Sequence, residues 1–191
     1  MVTHMEPTRA RSFLGRRLLI VGGLLLVIVL SGIVRSFVDF AEQDQRLAAF
    51  GPQVAGWVAL ASAPRSPEGP VVRGRVAMVD QDQGVMHDWA HGQLPPALRP
   101  DAPGLVGTVA LCRSEWRHVG YYEDRQSQER SGEAWQGLVH VTLVDPAAGV
   151  VLAQRRFEGS EPVSEKRAAG DAAGGLPYHD VLEWIAGLPR R

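Results

Sequence analysis

The sequence predicts an α+β protein: one N-terminal transmembrane helix, then a mainly antiparallel β domain of about six strands with one C-terminal helix. Three observations carry that expectation. Residues 18–34 run for seventeen positions without a charge. Beyond residue 70, runs of β-branched residues alternate with Gly, Asp and Pro turn signals. The last apolar residues recur at helical spacing.

The N-terminal segment comes first. As a helix rising about 1.5 Å per residue, residues 18–34 span about 26 Å, close to the roughly 30 Å hydrocarbon core of a bilayer. Arg35 can lift its guanidinium toward the headgroups, extending the apolar span to Val38. Arg9, Arg11, Arg16 and Arg17 precede the helix against Glu6 alone, whereas Asp39, Glu42 and Asp44 follow it. Clustered arginine on one flank orients such a helix with its N-terminus in the cytoplasm. A cleavable signal peptide is the rival, but its apolar region is shorter, about 7–15 residues, and ends in a small-x-small site. Here the apolar stretch ends Ser-Gly-Ile-Val-Arg. The features therefore read as a basic cytoplasmic tail at 1–17, a signal-anchor helix at 18–38, a stalk and linker at 39–70, and an extracytoplasmic globular domain at 71–191. The lipid bilayer is the partner of residues 18–38, and the setting is the inner membrane of a bacterial envelope.

Composition bounds the rest. Residues 1–35 carry five arginines and one acid, for +4, leaving 15 basic and 20 acidic residues, for −5, in the remainder. A mildly acidic domain gives no electrostatic reason to bind nucleic acid. Nineteen of the twenty basic residues are arginine and asparagine is absent, a skew that GC-rich bacterial coding explains better than selection on a fold. The single cysteine, Cys112, forbids an internal disulfide and lies in an apolar run, where a small buried side chain accounts for it.

In chain order, residues 54–63 form an apolar decapeptide around Trp57, too short to cross a bilayer, that packs on the domain or rests on the membrane. Residues 71–80 alternate as a strand, 81–84 turn, and 85–89 return. A proline-rich, extended loop follows, with Pro95, Pro96, Pro100 and Pro103. Residues 105–112 and 116–122 read as a second strand pair, with the polar stretch 123–133 linking it to 135–145, and 149–157 as its return. Residues 75–89 and 140–154 match without a gap at an offset of 65, sharing V-x-x-V-D-x-x-x-G-V. Hairpin chemistry explains the match: Asp80 or Asp145 caps the turn, and Gly84 or Gly149 takes a positive φ. Residues 160–175 form a long Ala/Gly-rich loop. Residues 177–188 suit a helix whose Val181, Leu182, Ile185 and Leu188 share a face.

Catalytic and cofactor signatures are missing: there is no G-x-S-x-G elbow, no Walker loop and no G-x-G-x-x-G after a strand. The metal candidates are His87, Asp88 and His91, histidines that would share one helical face at a spacing of four. The segment reads instead as a strand end, where that spacing parts the rings by roughly 13 Å, so hydrogen-bonded histidines explain it. Asp80-x-Asp82-x-Gly84 hints at calcium, but its glycine comes fifth and its twelfth position is His91, so a hairpin turn is expected. Trp89, Trp116, Trp135 and Trp184 read as core, with an aromatic ligand cleft as the alternative.

The anchor, Val79-Asp80, Val144-Asp145 and the closing Gly159, Pro162 and Trp184 region together resemble small bacterial single-pass envelope proteins. That resemblance brings no activity. The sequence thus reads as a membrane-anchored binding or interaction module with no cofactor, leaning away from catalysis, with an envelope protein as partner. The alternatives are a metal-dependent envelope hydrolase centred on His87, Asp88 and His91, and a small-ligand sensor.

Overall fold

A computed structural model describes residues 35, 45–123, 129–162 and 171–191. Residues 18–34 and 36–38 of the expected membrane segment, its arginine flank and residues 163–170 of the late loop lie outside the described residues. The chain divides into two units at Gln45, and the second, Arg46–Arg191, holds the sheet. Among the described residues no helix is long and apolar enough to cross a membrane.

The fold is a mainly β sheet of six strands, mostly antiparallel, with a C-terminal helix. The strands are β1 (Arg75–Asp80), β2 (Val85–Met86), β3 (Val106–Glu123), β4 (Arg130–Asp145), β5 (Val150–Glu158) and β6 (Ala172–Ala173). Among the helices of the described residues are α1 (Gly51–Ala59), α2 (Asp88–Gln93) and α3 (Tyr178–Gly187). The sheet order is β2-β1-β3-β4-β5, with β6 on β4.

Alternation along the strands explains why both faces are covered. Val76, Met78, Ala110, Cys112, Val139, Val141 and Leu143 face one core, closed by Val181, Leu182 and Ile185 of α3. Ala77, Val79, Val109, Leu111, Val144 and Val151 face the other, closed by Phe50, Val54 and Trp57. The decapeptide around Trp57 is therefore α1 and its trailing turn, and it packs on the domain. Proline at the start of α1 suits a position whose N–H has no helical partner. Burying Phe50 and Trp57 contributes about 1.5–3 kcal/mol each, so residues expected to be stalk belong to the core.

Three local expectations change. Residues 105–112 and 116–122 are not a pair but one 18-residue strand, β3, because Arg113-Ser114-Glu115 carries neither the Gly nor the Pro that would break it. The return after residue 84 stops at Met86, and the chain enters α2 with His87 as its N-cap. The path through α2 and the proline-rich loop then brings the chain back to the starting end of β1, so β3 runs parallel to β1 rather than antiparallel. At its described ends the Gly-rich loop brings two backbones into close contact. Built Cβ atoms on Gly159 and Gly174 would sit 1.8 Å from the Gly175 carbonyl oxygen and 1.9 Å from the Ser160 carbonyl oxygen. Only glycine lets these two backbones touch, and that contact seats β6 against Ala134 and Trp135.

Candidate interaction surface

The longest strands outrun their neighbours. β1 pairs with β3 only as far as Cys112, and β5 accompanies β4 only down to Leu138. β3 and β4 nevertheless stay paired to Glu123 and Arg130. Past the core they form a ribbon flanked, among the described residues, only by the two-residue β6 on the β4 side, and bulged between His118 and Gly120; bulges add local twist. Among the described residues no strand covers the outer edge of β3 beyond Cys112.

This ribbon carries large apolar side chains in solvent: Trp116 is 45% exposed, Val119 45% and Tyr121 48%. Register and alternation place Trp116 and His118 on one face, with Trp135 opposite His118. The His118 ring lies 4.5 Å from that of Tyr121 and 5.2 Å from that of Trp135, centroid to centroid. The Arg130 guanidinium sits 4.0 Å over the Tyr121 ring, a cation–π contact that fixes the ring in place. Gly137, opposite Trp116, leaves room for the indole, since a Cβ there would lie 3.2 Å from its Cζ3. The result is a pre-ordered aromatic patch on an open-edged ribbon. Tyrosine and tryptophan so placed offer large contact area at small entropic cost.

The histidines singled out by spacing lie on the helical turn of α2, not on a strand end, and each packs against a different aromatic ring. The His87 Nδ1 accepts the Ala90 N–H at 3.4 Å, and its ring stacks edge-on to Tyr178 at 4.4 Å. His91 is buried, with its ring against Phe50 at 5.9 Å. Burial lowers both imidazoles below the ordinary histidine range, and for His91 the Arg99 charge lowers it further. Among the described residues no three His, Cys, Asp or Glu side chains converge as a metal-binding group. Asp80 forms the expected turn, its Oδ1 accepting the Asp82 and Gln83 amides at 3.0 and 2.9 Å. Cys112 is buried, and burial pushes its thiol up to about 12, which makes it a packing residue.

The four tryptophans named by the sequence do not share one cleft. Trp116 and Trp135 lie on the ribbon, whereas Trp89 contacts Tyr178 and Trp184 contacts Phe157. Tyr178 opens α3 with its hydroxyl 2.9 Å from Ser114 Oγ, and burial raises it to about 12 despite that bond. Sequence reading missed the ribbon because the polar run 123–133 read as a linker. The signal that could have found it was the missing turn between Cys112 and Trp116.

Comparison with known protein families, curated proteins and solved structures finds no match.

Proposed function

We propose that this chain is a membrane-tethered extracytoplasmic binding module, organised like small bacterial single-pass envelope proteins, and that the β3–β4 ribbon is the surface it presents to an envelope protein. One observation carries the reading: the ribbon exposes Trp116, Val119 and Tyr121 on strands whose core-facing portions are fully packed. Core packing alone does not account for strands this long. Between Arg113 and Tyr121 the outer edge of β3 is covered by no strand among the described residues, so an extended peptide can add along it, and the alternate aromatic side chains supply selectivity. The tether rests on the uncharged stretch 18–34 and on Arg9, Arg11, Arg16 and Arg17 before it. No observation favours the hydrolase reading, because His87 and His91 are packed against different aromatic rings.

A photo-crosslinking residue at Val119 or Tyr121, irradiated in intact cells, tests the surface. One discrete partner band is expected from both positions, and none from the same residue at Glu183 on the exposed side of α3. Equal labelling from all three positions would remove the ribbon's special role. Recovery of a C-terminally tagged chain in a detergent-free soluble fraction would remove the tether.

A further inference from the structure

The sheet face beneath α1 changes character along its length. Under α1 it is apolar, with Val79, Leu111, Val144 and Val151. Where the helix and its trailing turn at Leu60–Ser62 end, the same alternation presents Arg113 on β3, His140 on β4 and Arg156 on β5. These three are direct cross-strand neighbours: Arg113 pairs with His140, and His140 with Arg156. The next row holds Thr142 beside Gln154. The step from covered to uncovered sheet leaves a concavity of about 380 Å³, lined by this row together with Ala61 and Gln81, within the range of roughly 300–1,000 Å³ usual for small-ligand sites.

Its charge is unbalanced. Glu115 is engaged with the His140 Nε2 at 3.1 Å, and Glu158 takes both Arg156 and Arg117. Arg113 has no carboxylate partner among the described residues. Thr142 Oγ1 accepts the Gln154 amide at 3.4 Å, and Gln154 in turn accepts from Arg65, so the Thr142 hydroxyl proton remains to donate. An unneutralised arginine in a concavity stands out on a domain whose sequence carries a net −5 beyond residue 35, from 15 basic and 20 acidic residues.

We propose that this concavity binds the phosphoryl group of a small phosphate-bearing ligand, with Arg113 and Arg156 as guanidinium forks and Thr142 as a hydroxyl donor. Two strand spacings separate the two arginine backbones, about 9.6 Å. A tetrahedral oxyanion, whose oxygens diverge, can meet both forks, whereas a planar carboxylate fills one. The volume exceeds that of phosphate alone and admits an organic body. A soluble phosphomonoester and a phospholipid headgroup share this chemistry. The site uses none of the exposed aromatic residues of the ribbon and stands or falls apart from the protein-binding reading.

The test follows the imidazole signals of the full-length chain in an uncharged detergent by nuclear magnetic resonance. The probes are phenyl phosphate and dihexanoyl phosphatidic acid, with benzoate as the carboxylate control. A saturable shift is expected at His140 and none at the exposed His179. Arg113→Ala should weaken it about tenfold or more, the scale of one charge-assisted hydrogen bond, and Arg113→Lys should recover part of the loss. Arg113 is exposed, so unchanged His91 signals will verify that the variant keeps its core. The tighter of the two phosphate probes identifies the source as soluble or lipid. Equal shifts at His140 and His179, unaltered affinity in Arg113→Ala, or benzoate binding as well as phenyl phosphate would each overturn the proposal.

Discussion

The β1–β2 and β4–β5 hairpins are built on one local pattern and sit in different surroundings. Their registers coincide at an offset of 65: Val79 pairs with Met86 and Asp80 with Val85, as Val144 pairs with Val151 and Asp145 with Val150. Gly84 and Gly149 adopt φ of 65° and 66°. Asp80 Oδ1 accepts two turn amides, and Asp145 Oδ1 accepts those of Ala147 and Ala148, both at 2.9 Å. There the likeness stops. Asp145 is buried, and its second oxygen takes the Arg73 guanidinium. The Arg73 backbone is itself held at both N–H and C=O by Thr108 Oγ1. Asp80 is half-buried above an exposed turn. The motif sets the turn, but the neighbours set how much that turn matters. Since local chemistry accounts for every shared position, the repeat needs no common origin.

Three experiments sharpen that contrast, and the aspartates should give the largest effect. Asp145→Ala leaves part-buried turn amides without an acceptor and should cost about 3 kcal/mol, whereas Asp80→Ala, whose amides can turn to water, should cost about 1 kcal/mol. Denaturant unfolding of the two variants measures both. Equal losses would mean that burial of the second turn adds nothing. Next come the glycines. Both lie at positive φ in open space, so Gly84→Ala and Gly149→Ala should each cost about 1 kcal/mol and match one another. A clear difference between them would show that the turns are not conformationally equivalent.

The smallest effect concerns pH. The first hairpin leads into α2, with His87 and His91 held neutral by burial. Below the ordinary histidine value of about 6.5, the unfolded chain takes up protons that the folded one resists, so stability falls as pH drops through that value and is retained above it. Amide hydrogen exchange at pH 7.5 and 5.5, corrected for intrinsic rate, should show protection lost around β1, β2 and α2 before β4 and β5. Uniform loss across the sheet would refute a local origin in the two histidines.

What was legible in the sequence was whatever depends on near neighbours along the chain. Both Asp-Gly turns, the strand character of the alternating runs, the closing helix and the burial of Cys112 follow from backbone sterics, period-2 side-chain placement and apolar content. The residues that meet on the surface were not legible, because strand register joins positions far apart in sequence: Arg113 with His140 and Arg156, and His118 with Trp135. Periodicity also missed the parallel entry of β3, which is fixed by the route of the connection through α2.

The sequence alone determined the strand-and-turn grammar of the domain and where its apolar residues must gather, since those follow from local conformational preference and the avoidance of water. Tertiary structure alone decided that α1 covers only part of one sheet face and that β3 and β4 outrun their neighbours. Coverage and overhang depend on where separate segments end against one another. That is a property of packing, and no local pattern encodes it.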